Sequence, residues 1–244
     1  FELPSGTRTG RLLHALFEQL DFHQASGERL EQQVTDLLAR YDPAAESDSD
    51  WTPTLVRLVT NVLDTELDRA SGLRLRDIGP ADRLTELEFH FPLSDLDPAG
   101  LRALLGRFAD YRHTASGLTF EPLRGLMRGF IDLCVRHEGR YYILDYKSNR
   151  LGGRLSDYGA DGMRREVRRH RYDLQYLIYS LAMHRFLGQR LPGYDYARHF
   201  GGVFYLFLRG LRPELGPDLG VWQARPPLEL IQGLDRLFGT RQET

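Results

Sequence analysis

A chain of 244 residues with 41% hydrophobic residues can bury one sizeable α/β core, and a formal net charge of -2 excludes the bulk positive field by which many proteins grip nucleic acid. Cys134 is the only cysteine, which excludes an internal disulfide and any zinc or iron–sulfur site built from several thiolates of this chain, and it suits a reducing cytoplasm. No run approaches membrane-spanning length, no signal peptide is visible, and a start at Phe1 leads us to expect a piece of a longer polypeptide.

After the polar start SGTRTG, Leu12, Leu13, Leu16, Phe17 and Leu20 recur at helical spacing and predict an amphipathic helix. His14 sits at the edge of that stripe, where it either packs in the core or points into a groove. Residues 41–53, rich in Asp, Ser and Pro, read as a solvated loop before a second helical stretch over 54–70. Residues 84–93 alternate, with Leu87, Phe89 and Phe91 on one face and Glu86, Glu88 and His90 on the other, which predicts a strand. Its polar face either meets solvent or offers an acid to a site. Residues 101–111 read as a short helix.

The richest stretch is GFIDLCVRHEGRYYILDYK, residues 129–147. β-Branched and aromatic residues flank His137-Glu138-Gly139-Arg140, which predicts a hairpin turning at Glu138-Gly139. With His137 opposite Arg140, counting outward places Asp132 opposite Asp145, and alternation puts Lys147 on the face of Asp145. Directly opposed residues have Cβ atoms roughly 5 Å apart, and two carboxylates at that distance repel unless a cation offsets them. Hard oxygen ligands suit Mg²⁺, which keeps positions open for water and phosphate oxygens, while the lysine can orient or deprotonate a water or stabilise developing charge. The same residues also fit a surface charge pair of Asp145 with Lys147, with Asp132 solvated at a sheet edge. Phe130, Leu133, Val135, Ile143 and Leu144 are too apolar for a wholly exposed strand pair and favour an enclosed site. Gly129 is expected to leave room for close approach of a ligand or backbone.

Residues 148–158, with Gly152 and Gly153, read as a mobile connector, and 163–187 as one long helix. Its first part carries Arg164, Arg165, Arg168, Arg169 and Arg171, which either contact phosphates or form a solvated face. Gln175 and Tyr179, four apart, share a face and either line a cleft or form a surface pair. Gly201-Gly202 precedes the apolar run 203–208, a strand covered on both faces, and Pro226-Pro227 precedes a closing helix over 228–238.

The ordered segments Gly10-Arg11-Leu12-Leu13-His14, Gly129-Phe130-Ile131-Asp132, Asp145-Tyr146-Lys147 and Gln175-Tyr176-Leu177-Ile178-Tyr179 resemble the RecB-type branch of the PD-(D/E)xK nucleases. The likeness covers nearly the whole chain, least clearly between about residues 24 and 84. It implies a restriction-endonuclease-like α/β core, a central mixed sheet flanked by helices, in a single domain over 1–244 with a helical N-terminal part to about residue 80 and a catalytic core from about 81. It implies Mg²⁺ held by His14, Asp132, Asp145 and the backbone carbonyl of Tyr146, with Lys147, Asp145 and Asp132 catalytic. Gln175 and Tyr179 match the accessory Q-x-x-x-Y element, and Glu88 stands where some relatives carry an acid on an earlier strand, with Glu86 competing for that place. Ile131 replaces the usual Pro before the first Asp.

The resemblance further implies a deoxyribonuclease of the exodeoxyribonuclease V type, cleaving single-stranded DNA fed from duplex ends inside a helicase–nuclease with RecC and RecD, with a surface that recruits RecA. No G-x-x-x-x-G-K-[ST] phosphate loop occurs here, so an ATP-driven motor is expected outside this chain. Two alternatives stand beside it. A catalytically silent nuclease-like module that docks DNA or protein has no need of both acids and the lysine, and an AddB or Cas4 type needs a set of cysteines for an iron–sulfur cluster.

Overall fold

The computed structural model describes residues 3, 4, 6–41 and 51–239. Three helices come first, α1 (Thr7–Gln19), α2 (Gly27–Tyr41) and α3 (Thr52–Asp64). Leu13, Leu16, Phe17 and Leu20 are buried as the spacing of α1 predicts. α2 was not anticipated, although Leu30, Val34 and Leu37 recur at helical spacing and are buried. α3 stops at Asp64 and does not reach residue 70, because Thr65 turns extended and Leu67 N–H bonds the Leu73 carbonyl at 2.8 Å. Most of the expected 41–53 loop lies outside the described residues.

The core is a five-stranded mixed sheet in the order β1 (Arg83–Leu96), β2 (Leu123–His137), β3 (Arg140–Lys147), β4 (Phe200–Phe207), β5 (Val221–Ala224). β3 and β4 run parallel and the other neighbours antiparallel. Between β1 and β2 come α4 (Pro98–Gly106) and α5 (Arg112–Ser116), and between β3 and β4 come α6 (Ala160–Arg169), α7 (Tyr172–Arg190) and α8 (Tyr196–His199). α9 (Leu228–Phe238) closes the described chain. α4 starts at Pro98, ahead of the expected residue 101, because the Asp97 side chain caps it, accepting from Gly100 N–H at 2.9 Å. The sheet is buried on both sides: one apolar cluster joins it to α4, α7 and α9, and another joins it to α1, α2 and α3.

The hairpin register is the expected one, from His137 opposite Arg140 to Leu133 opposite Leu144, with Glu138 (φ 49°) and Gly139 (φ 74°) as a left-handed turn pair. Three expectations are corrected. Gly129 offers no space to a ligand, since it lies opposite Phe89, whose ring carbon would stand 2.5 Å from a Cβ there. The long helix is two, broken where Arg171 turns left-handed (φ 56°) and donates to the carbonyls of Thr114 and Gly117. The connector is anchored, for Tyr158 is fully buried and its hydroxyl accepts from Leu151 N–H at 3.3 Å.

Candidate active site

The β2–β3 ladder ends at Leu133 and Leu144, one pair short of Asp132 and Asp145, and there the two strands fork. The β1–β2 ladder also skips one opposed pair, Glu86 and Asp132, with Glu86 left-handed (φ 50°). Ile131 packs in the α7 cluster whereas Leu133 and Val135 pack in the α1 cluster, so β2 exchanges the face its odd-numbered residues present at Asp132. Such an irregularity re-aims a side chain. Asp132 Oδ2 turns into the fork and accepts from Tyr146 N–H at 3.0 Å, taking the place of a ladder bond.

In a strand a residue's N–H and C=O point the same way, and its neighbours' point the other way. The Lys147 carbonyl accepts from Leu208 N–H on the β4 side, so the Tyr146 carbonyl points into the fork beside Asp132. α1 brings His14 to the same place, with Nδ1 3.4 Å from Asp132 Oδ2. The clamp between α1 and β3 is aromatic: Phe17 stacks on Tyr146 with centroids 4.5 Å apart, and His14 meets the same ring edge-on.

On the opposite face of the sheet Asp145 and Lys147 are buried, and Lys147 Nζ lies 2.7 Å from Asp145 Oδ1. The surface charge pair is therefore set aside. Lys147 also donates to Gln175 Oε1 at 2.9 Å and lies 3.9 Å from the ring centre of Tyr172 and 4.4 Å from that of Tyr205. Gln175 donates to the Tyr179 hydroxyl at 2.8 Å and accepts from Tyr205 at 2.9 Å, so the pair is tied to Lys147 and is not a helix-surface pair.

Burial first, and the Asp145 charge second, push the Asp132 carboxyl up to about 8. Burial holds the His14 imidazole below the usual histidine range against the pull of Asp145, which keeps a neutral ring nitrogen available. Among the described residues no group of three or more His, Cys, Asp or Glu side chains is placed so that it could hold a metal ion by itself. His14 Nδ1, Asp132 Oδ2 and the Tyr146 carbonyl meet at the fork, and the Asp145 charge acts on both side chains, so that Asp132 is hard to ionise without a cation. Oxygen donors of this kind are those a hard divalent ion takes, with water or substrate oxygens needed to complete its shell.

Two groups of expected site residues are corrected. Glu88 faces outward and pairs with Arg128 at 2.5 Å, whereas Glu86 stands near His14 and beside Glu18, whose carboxyl is raised by burial and then by Glu86. The arginines do not act as one patch: Arg164 pairs with Asp161 at 2.6 Å and Arg171 is spent on carbonyls, while Arg165, Arg168 and Arg169 are exposed. Arg164 and Arg168 open onto a separate pocket with His113 and Asp173. Sequence reasoning missed Tyr172 and Tyr205. Tyr172 stands three residues before Gln175, a spacing that would have found it, whereas Tyr205 is hidden in an apolar strand.

Residues 2–230 match the model of the PD-(D/E)XK nuclease superfamily. The chain is similar to RecBCD enzyme subunit RecB of Escherichia coli (strain K12), 40% identical over 238 residues, which are 97% of this chain and 19% of that protein. Its counterpart in Haemophilus influenzae is 38% identical over 97% of this chain and 19% of that protein. That of Mycobacterium tuberculosis (strain CDC 1551 / Oshkosh) is 36% identical over 97% of this chain and 24% of that protein. The chain thus spans about a fifth to a quarter of the length of these curated relatives. With its mixed sheet, its forked acids and this match, the chain belongs to the PD-(D/E)XK nuclease superfamily.

Proposed function

We propose that this chain is a single nuclease domain that hydrolyses phosphodiester bonds of single-stranded DNA with Mg²⁺, as the nuclease part of a RecBCD-type helicase–nuclease that processes duplex ends alongside RecC and RecD. The observation that carries this reading is the pair Asp132 and Asp145 at the strand fork, with Lys147 held at 2.7 Å from the second acid. Two carboxylates that resist joint ionisation need a cation, which would keep positions for water and phosphate oxygens.

His14, Asp132, Asp145 and the Tyr146 carbonyl would hold the ion. When bound, Mg²⁺ supplies charge neutralisation at the phosphate and acidifies a water. Lys147 sets a positive charge where negative charge builds on the phosphoryl oxygens, fixed by Asp145, Gln175 and two aromatic faces so that little reorganisation is needed. Tyr205 and Tyr179 hold Gln175, and Gln175 holds Lys147. A buried thiol at Cys134 fits a reducing compartment such as the cytoplasm, and no helix among the described residues is long and apolar enough to cross a membrane.

Lys147→Ala and Asp145→Ala are each expected to abolish Mg²⁺-dependent cleavage of single-stranded DNA while circular dichroism shows the helix and strand content retained. Undiminished cleavage by either pure variant overturns the mechanism. Mn²⁺ density in crystals between His14, Asp132 and Asp145 is expected, and its placement elsewhere would move the site.

A further inference from the structure

A groove of about 760 Å³ begins at His14 and is walled by the start of α1 and by the segment that follows β3. Its walls include three cationic or protonatable side chains for which the cleavage chemistry has no use: Arg11 on α1, Arg150 three residues after Lys147, and His170 at the end of α6. Glu18 is the only acid on these walls among the described residues, and neither Arg11 nor Arg150 forms an ion pair among them. Gly10 lets the walls approach, since a Cβ there would stand 3.2 Å from Ser148 Oγ.

His170 is the point at which this groove touches the machinery around Lys147. Its Nε2 lies 2.9 Å from Glu166 Oε1, and the same oxygen accepts from Asn149 at 2.9 Å. Asn149 in turn accepts from the Tyr172 hydroxyl at 3.1 Å. The His170 ring also stacks on Tyr172, with centroids 5.2 Å apart, and Tyr172 is one of the two faces against Lys147 Nζ.

Resting on the nuclease reading above, we propose that Arg11, Arg150 and His170 form a subsite for the phosphate that flanks the scissile one on a DNA strand. Guanidinium groups match phosphate oxygens bidentately, and two of them in one groove without acidic partners among the described residues favour a phosphodiester over a neutral ligand. A flanking phosphate held one step from the fork positions the scissile one, which converts binding into orientation. Glu166, Asn149 and Tyr172 are positioning residues that tie the occupied subsite to Lys147.

The test uses single-stranded oligonucleotides in which a neutral methylphosphonate is stepped through the positions on both sides of one cleavage site. At one flanking position it is expected to lower kcat/KM of the unaltered chain by about 10- to 100-fold. Arg150→Ala and Arg11→Ala are expected to lose a similar factor on the all-phosphate strand and nothing further on the strand neutralised at that position. Losses that multiply at every position overturn the subsite. The same cycle is run on binding without metal, by fluorescence anisotropy, so a chain that binds but does not cleave refutes the nuclease reading while still deciding the subsite.

Discussion

Burial and then the charge of Asp145 push the Asp132 carboxyl up to about 8 from its ordinary value of 3.8, because both disfavour its ionised form. An acid with a raised folded pKa binds its proton more tightly in the folded state, so stability falls as pH rises from about 4 to about 8. In chelator, Tm is therefore expected to decline across that window, and Asp132→Asn to flatten the decline and melt a few degrees higher at pH 8. Saturating Mg²⁺ at pH 8 is expected to raise Tm of the unaltered chain and not of Asp132→Asn. Thermal melts with and without Mg²⁺ check both, and equal pH profiles would remove the strained acid from the account. Lys147→Ala leaves Asp145 buried without its partner, a change that typically costs about 3–5 kcal/mol, so a lower metal-free Tm is expected alongside lost cleavage. The register from His137 opposite Arg140 to Leu133 opposite Leu144 was legible from the two-residue turn, whereas the expected opposition of Asp132 and Asp145 was not met, because the ladder ends one pair short of them. The choice of Glu86 over Glu88 was not legible, because alternation predicts one face for both and only the left-handed backbone at Glu86 separates them.

At the scale of elements, Gly129 and Phe89 form a cross-strand pair in which the ring covers the glycine. Gly129→Ala sets a methyl against that ring, and overpacking of this kind is expected to cost about 1–3 kcal/mol in a denaturant titration. Adding Phe89→Leu should recover part of the loss, and no recovery would show that the strain lies elsewhere. The break between α6 and α7 belongs here too. Apolar periodicity runs through it, so the sequence pattern predicts one helix, but the guanidinium of Arg171 finds two loop carbonyls on α5 and the residue after it only if the chain turns. Arg171→Ala is expected to lose about 1–3 kcal/mol of stability without changing the salt dependence of DNA binding, which anisotropy at several salt concentrations reads. Helix α1 was visible from its apolar spacing, α9 from the prolines that precede it and α7 only as part of one longer expected helix, whereas α2 and the short edge strand β5 went unread.

Over the whole molecule, the site lies where both faces of one sheet contribute. His14 reaches the fork from the α1 side and Lys147 is held from the α7 side, so neither helix layer alone completes it. On the proposed nuclease reading, a net charge of -2 leaves DNA affinity to a few local contacts. The slope of log K against log salt for a single strand is then expected to be about −2 to −3, at about 0.7 per phosphate, and a much steeper slope would point to a wider basic surface. Sequence by itself determined the α/β class, the hairpin register as far as Leu133 and Leu144, and the four ordered segments that mark the family, because all of these follow from local alternation, turn chemistry and order along the chain. Only the tertiary structure decided that the ladder opens at Asp132, that Gly129 is filled by Phe89, that Tyr172 and Tyr205 wall in Lys147, and that Arg11, Arg150 and His170 share one groove. Those outcomes depend on which distant residues compete for the same space or the same hydrogen bond, and that competition is settled only when the layers pack.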